Sequence, residues 1–266
     1  MIYCNINIIS YNIHGWFTTD FKDSISQLIN FFKEENPHIL LLQEVTLKED
    51  KLETLAKIFG YHYAFVETTN MGYFGKNIPF GNAILSIFPM ENIQKKLVKL
   101  NSKKKRRIEL ENRAYLSAYI PYLNLTVATI HLDQLDENIR LKQIQAMNID
   151  ADILGGDFNC FSYQEQSRNT QKQIEKFWSS KKWDLNKSKP SVLQYLERKY
   201  INVLPEIIGP TCWSLNPLIR TDYFWIKKDL DKKCSVSIIK NKSSDHYPLK
   251  LQLNFPKSEL HAAEDF

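Results

Sequence analysis

The chain has 266 residues, 43% of them hydrophobic and 24% charged, ordinary values for a soluble globular protein large enough to fold without a disulfide staple. Its formal net charge is +5, from 35 Lys and Arg against 30 Asp and Glu. The run KKKRR at 103–107 accounts for that excess, which argues against a broadly basic surface and for one local basic spot. The four cysteines, Cys4, Cys160, Cys212 and Cys234, lack metal-site spacing, and no stretch approaches the roughly 20 apolar residues of a membrane span. The opening MIYCNINIISYN has no basic segment followed by a long apolar run, so no signal peptide is expected. A reducing, cytoplasm-like compartment is the default expectation, with export by a signal-less route left open.

In chain order, an apolar strand is expected at 3–11 and an amphipathic helix at 23–36, where Ile25, Leu28, Ile29 and Phe32 share one face. A strand at 38–43 precedes a second helix at 48–60, with Leu52, Leu55 and Ile58 in phase and Gly60 as its stop. Strands follow at 61–66 and 82–87, then a hairpin of 93–100 and 113–120 with KKKRR near its tip, then a strand at 124–131. A third helix spans 136–148, with Asp136 as N-cap and Ile139, Ile144 and Met147 along it. A strand at 151–156 leads into a helix-rich region over 163–200, and strands at 222–227, 234–239 and 247–253 complete the pattern. No repeat or linker divides this mixture, which predicts one α/β or α+β domain over 1–256 and a flexible tail at 257–266.

The apolar strands end in polar residues. ILGGDFNCF runs into Asp157 and Asn159, two positions apart and hence on one side of an extended chain. The Gly155–Gly156 pair there leaves room for something to approach the backbone. IISYNIHGW ends a strand with Asn12, ILLLQEV with Glu44 and TVATIHLDQ with His131. LIRTDYFWI embeds Arg220 and Asp222, and KSSDHYPLKLQL sets Asp245 and His246 before an alternating strand. Each residue alone reads as a turn former, a solvated acid or a structural histidine. Together, carboxylates and amides brought to one sheet edge form a hard-oxygen environment suited to Mg²⁺ or Mn²⁺, with histidines at hand to donate to a phosphate or protonate a leaving group.

The ordered set YNIHG, LLQEV, FGNAILS, TIHLDQ, GGDFNC, RTDYFWI and SSDH resembles the endonuclease/exonuclease/phosphatase, or deoxyribonuclease I-like, superfamily over residues 4–253. The resemblance implies a four-layer α/β sandwich of two face-to-face mixed β-sheets flanked by helices, and metal-dependent hydrolysis of phosphodiester bonds. It implies Glu44 as principal metal ligand, with Asn12 and Asp245 as further metal candidates. Asp157 would orient or deprotonate the attacking water, Asn159 would help hold the phosphate, and Asp222 would pair with His246. His131 would lie near the leaving group, and Asn12, Asn82 and Arg220 would contact substrate or phosphate. Where several branches of the family carry an acid two positions after the first Asn, this chain has His14, which slightly weakens an abasic-site reading.

Substrate choice rests with loops 67–80, 101–113 and 160–215. Tyr73, Phe74 and Phe80, with a basic spot elsewhere, suit stacking on bases, so nucleic acid is favoured as partner and a monomer is expected. A phospholipid or phosphoinositide headgroup is the alternative, and a catalytically inactive partner-binding relative the minor one. Segment 172–183, with Phe177, Trp178 and Trp183 among lysines, reads as a buried helix face ahead of a membrane-surface helix. Frequent Lys, Asn and Ile hint at an AT-rich, bacterial genome.

Overall fold

The computed structural model describes residues 3–70, 78–99, 112–134, 136–181, 185, 187–205, 209–212, 214, 218–230, 233–256 and 260. In chain order the strands are β1 (Tyr3–Asn12), β2 (Ile39–Thr46), β3 (His62–Asn70), β4 (Pro79–Ser86), β5 (Glu91–Val98), β6 (Arg113–Ile120), β7 (Leu125–His131), β8 (Ile153–Asp157), β9 (Tyr200–Asn202), β10 (Asp222–Lys227), β11 (Lys233–Ile238) and β12 (Leu249–Pro256). The helices are α1 (Ile25–Glu35), α2 (Lys51–Phe59), α3 (Glu137–Met147), α4 (Arg168–Lys181) and α5 (Ser191–Leu196).

The strands form two six-stranded sheets, ordered β11-β12-β1-β2-β4-β3 and β5-β6-β7-β8-β10-β9. Each sheet is antiparallel except for one central parallel pair, β1/β2 in the first and β7/β8 in the second. A parallel pair needs a crossover, supplied by the segments containing α1 and α3.

Alternation along the strands builds the layers. Ile6, Ile8, Leu41 and Ile84 of the first sheet meet Leu116, Val127, Ile153 and Phe224 of the second in a core between the sheets. The opposite face of the first sheet, with Ile9, Tyr11, Leu40 and Leu42, packs on Leu28 and Phe32 of α1 and Leu52 and Leu55 of α2. The outer face of the second sheet, with Ala128, Ile130, Leu154 and Trp225, packs on α3 and α5. Helix, sheet, sheet, helix is the four-layer sandwich the motifs imply. Strands covered on both faces read as continuous apolar runs such as ILLL.

The helices lie where their periodicity put them, with shorter ends. Asp136 caps α3 by accepting from the backbone N–H groups of Asn138 and Ile139. Ile58, in phase with Leu52 and Leu55, is 46% exposed instead, in the last turn of α2, which ends one residue later. β9, three residues long, is too short to announce itself by alternation. Among the described residues, no helix is long and apolar enough to cross a membrane. The KKKRR run, Tyr73, Phe74 and Trp183 lie outside the described residues.

Candidate active site

The two parallel pairs end at one place. Asn12 closes β1 beside Gln43 of β2, and His131 closes β7 beside Asp157 of β8. Asp222 opens β10 directly across from Asp157. Carboxyl ends of parallel strands from two stacked sheets thus meet, the position at which α/β sheets commonly gather ligand-binding groups.

Glu44 reaches this point through a β-bulge. Leu42 pairs with Ala83 and Val45 with Gly81, so three steps along β2 match two along β4. The extra residue lets Leu42 and Val45 both keep to the helix-side core while Gln43 turns between the sheets to Thr129 at 2.8 Å. Glu44 takes φ 55°, an uncommon backbone for a non-glycine residue, and points to Asn12.

Asn12 is the hub. Its Nδ2 donates to Glu44 Oε1 at 3.0 Å and to Asp157 Oδ2 at 3.1 Å, tying a carboxylate of each sheet to one amide. Its Oδ1 accepts from the His14 backbone N–H at 3.1 Å. Both amide hydrogens are therefore engaged, and the side chain is fully buried. Asn12, expected as a phosphate or metal contact, stands here as a bridge between two carboxylates. His14 takes part through its backbone there.

The two glycines before Asp157 serve packing. A Cβ on Gly156 would lie 2.1 Å from the Ile130 carbonyl oxygen, and one on Gly155 would lie 2.8 Å from both Leu41 and Phe224 side chains. What approaches them is the neighbouring strand and the core between the sheets. Asp157 Oδ1 then accepts the Asn159 backbone N–H at 2.9 Å. Asn159 (φ 49°) donates one amide hydrogen to the Leu132 carbonyl at 2.9 Å and lines the cleft.

Two histidines face this centre with opposite backing. His246 Nδ1 lies 2.9 Å from Asp222 Oδ2, and its Nε2 lies 3.7 Å from Asp157 Oδ2. Burial disfavours its charge, but Cys212, Asp222 and Asp157 outweigh that and hold the imidazole well above its ordinary pKa. His131 Nε2 lies 3.8 Å from Glu44 Oε1 and 3.6 Å from Asp157 Oδ2. Its Nδ1 lies 3.0 Å from Arg113 NH1. Burial, then the Arg113 and His246 charges, push His131 well below its ordinary value. The SSDH segment is pinned by Ser244, whose hydroxyl donates to the Asn12 carbonyl at 2.7 Å.

Burial raises both carboxyls. Glu44 is pushed up to about 7 by burial and the Asp245 charge, against the Asn12 hydrogen bond and the His14 and His246 charges. Asp157 is pushed up to about 6 by burial and Asp222, against His246, the Asn159 backbone and Asn12. A cation bound beside them would lower both values. Asp157, Asp222 and His246 present donor atoms within 4.8 Å of one another, but Asp222 and His246 are already each other's partners. Glu44 and Asp245, oxygen donors that both line the cleft, fit a hard divalent ion better.

The cleft holds about 740 Å³. Glu44, His131, Asp157, Asn159, Asp245 and His246 form its floor; Gln134, Glu137, Arg140, Phe161 and Trp178 are among the other residues lining it. Asp222 stands behind His246. Two expected contacts lie elsewhere. Asn82 is buried and donates to the Ala114 carbonyl at 3.1 Å, linking the two sheets. Arg220 is 1% exposed, pairs with Glu165 and lies over the Tyr223 ring; an apolar frame around an arginine signalled burial, and its charge is met there. Sequence reasoning missed Arg113 and Arg140, and it read Trp178 as part of a buried helix face where the structure has it lining the cleft. The signal for Arg113 was a charge opening the apolar strand RAYLSAYI.

No curated protein matches the chain. Among solved structures, an endonuclease/exonuclease/phosphatase protein from Beutenbergia cavernae aligns with TM-score 0.70 at 18% identity, over 94% of this chain and 71% of that one. A family protein from Bacteroides thetaiotaomicron aligns at 0.66 and 14% over 99% of both chains. A mannosyl-6-phosphatase from the same organism aligns at 0.66 and 14%, over 94% of this chain and 100% of its own. At these identities the likeness is one of fold. The family model described as Endonuclease/Exonuclease/phosphatase family matches residues 9–246, and the chain belongs to that family of hydrolytic phosphoesterases, whose members are typically divalent-metal dependent.

Proposed function

We propose that the chain hydrolyses phosphodiester bonds with Mg²⁺ or Mn²⁺ held by Glu44 and Asp245. The observation that carries this reading is the meeting of Glu44, Asp157 and His246 at one cleft, with the two carboxyls joined through Asn12. A bound divalent ion would polarise a phosphoryl oxygen and neutralise charge there. Asp157, raised toward neutrality by burial and Asp222, is suited to take a proton from a water it orients. His246, kept charged by its acidic partners, donates Nε2–H to a phosphoryl oxygen. Asn159 has a second amide hydrogen to offer the same group. Positioning and charge stabilisation account for most catalysis in phosphoryl chemistry.

For substrate, we propose a nucleic-acid strand, with Phe161 and Trp178 of the cleft as the surface for a base. A sugar phosphate is the second reading. The half-buried Trp178 beside Glu137 and Arg140 suits a sugar ring and its hydroxyls, and one structural neighbour is a mannosyl-6-phosphatase.

The test is hydrolysis by purified protein with Mg²⁺, Mn²⁺ or EDTA. Substrates would be plasmid and single-stranded DNA, RNA, an abasic-site duplex, a 5′-tyrosyl oligonucleotide, sphingomyelin, phosphoinositides and mannose 6-phosphate. Asp157→Ala and His246→Ala serve as controls, each expected to lose at least ~100-fold. Cleavage that persists in EDTA or in both variants overturns the reading.

A further inference from the structure

Arg113 is a buried cation beside the catalytic groups, and no role proposed above uses it. It begins β6, one strand over from His131 at the end of β7, and is 2% exposed. Its NH1 is 3.0 Å from His131 Nδ1. A guanidinium has donors only and does not lose its proton in proteins, so at this distance Nδ1 must be the acceptor. The ring proton of His131 then resides on Nε2, the atom facing Glu44 and Asp157.

His246 has the converse arrangement. Asp222 accepts, so Nδ1 of that ring carries a proton. Two histidines that look alike in sequence are therefore set to different states by the groups behind them: an acid behind one, a base's conjugate cation behind the other.

We propose that Arg113 is a positioning residue that fixes His131 as the neutral Nε2–H tautomer, so that this ring offers the cleft a hydrogen-bond donor and no acceptor. His131 would thus hold an oxygen of the substrate's leaving group or phosphate without exchanging protons with it, leaving proton transfer to Asp157 and charge to His246. The consequence for rate rests on the hydrolase reading. The tautomer does not.

The experiment is ¹⁵N–¹H correlation of the histidine rings in full-length protein, with and without Mg²⁺. In the wild type, His131, assigned with a His131→Gln variant, should show a protonated Nε2 and a bare Nδ1. Arg113→Met, lacking the guanidinium donor that makes Nδ1 an acceptor, should release the ring from the single Nε2–H tautomer, so that Nδ1–H signals appear beside it, and should lower kcat roughly 10- to 100-fold with KM little changed. Arg113→Lys, which keeps a cationic donor, should recover part of both. A protonated Nδ1 on wild-type His131 overturns the proposal even if Arg113→Met fails to fold or no substrate is turned over. So does Arg113→Met with wild-type ring signals, or with wild-type kcat.

Discussion

At the scale of single residues, the site depends on one amide. Asn12 donates to carboxylates of both sheets, and nothing else described does so. Asn12→Leu removes both donors while filling the space, leaving Glu44 and Asp157 to face one another unbridged. We expect a loss of about 2–3 kcal/mol in urea unfolding of the metal-free protein, partly recovered with Mg²⁺. A variant as stable as the wild type would show that the acids are satisfied some other way. Arg220 and Asn82 teach the reverse. Both stand in motif positions, yet the partner of each, Glu165 or the Ala114 carbonyl, comes from a distant part of the chain. Such pairings are invisible to a reading that moves along one strand at a time.

Among elements, what was legible followed from periodicity and what was hidden came from breaks in it. The strands, α1, α2 and α3 obey alternation or helical spacing. The bulge that presents Glu44 violates alternation by one residue, and nothing in ILLLQEV signals that the odd residue is the acid; only the pairing with β4 reveals it. The motif resemblance found Glu44 without the geometry. The glycines of β8 read as space for a ligand, whereas Gly156 gives its space to β7 and Gly155 to the core between the sheets. That difference is measurable. Gly156→Ala should cost at least ~3 kcal/mol in thermal or urea unfolding, because its Cβ would fall 2.1 Å from a backbone oxygen that cannot yield. Gly60→Ala, with nothing within 4 Å and only a positive φ of 67° to offend, should cost ~1 kcal/mol. Equal effects would contradict the register. Asp136→Ala, losing the cap of α3, should cost ~1 kcal/mol with catalysis unchanged.

The whole molecule feels its active site through pH. Glu44 and Asp157 have folded values of about 7 and about 6, above reference values of 4.5 and 3.8. They bind protons more tightly folded than unfolded, so they favour the native state at low pH and the benefit fades as pH rises through 6 to 7. His246, also raised, acts in the same direction over a higher range, while the lowered His131 acts the other way only below its ordinary value of 6.5. The metal-free protein should therefore melt at a lower temperature at about pH 8 than at about pH 5.5. The rise in Tm with Mg²⁺ should be larger at the higher pH, since the ion and the protons compete for the same oxygens. A Mg²⁺ effect independent of pH would remove Glu44 from the ligand set.

The pairing of β1 with β12 joins Tyr3 to Pro256, while the second sheet is threaded entirely between β4 and β11. On the ribosome, β1 is made among the first strands and waits with one edge open until β12 leaves the exit tunnel. Contacts of such long sequence separation are slow to form. His246 stands just before β12, the last described strand, so the proposed catalytic set is completed at the same moment as the sheet. A nascent chain halted between Asp157 and His246 carries Glu44, His131 and Asp157 but lacks the histidine that the proposed mechanism requires.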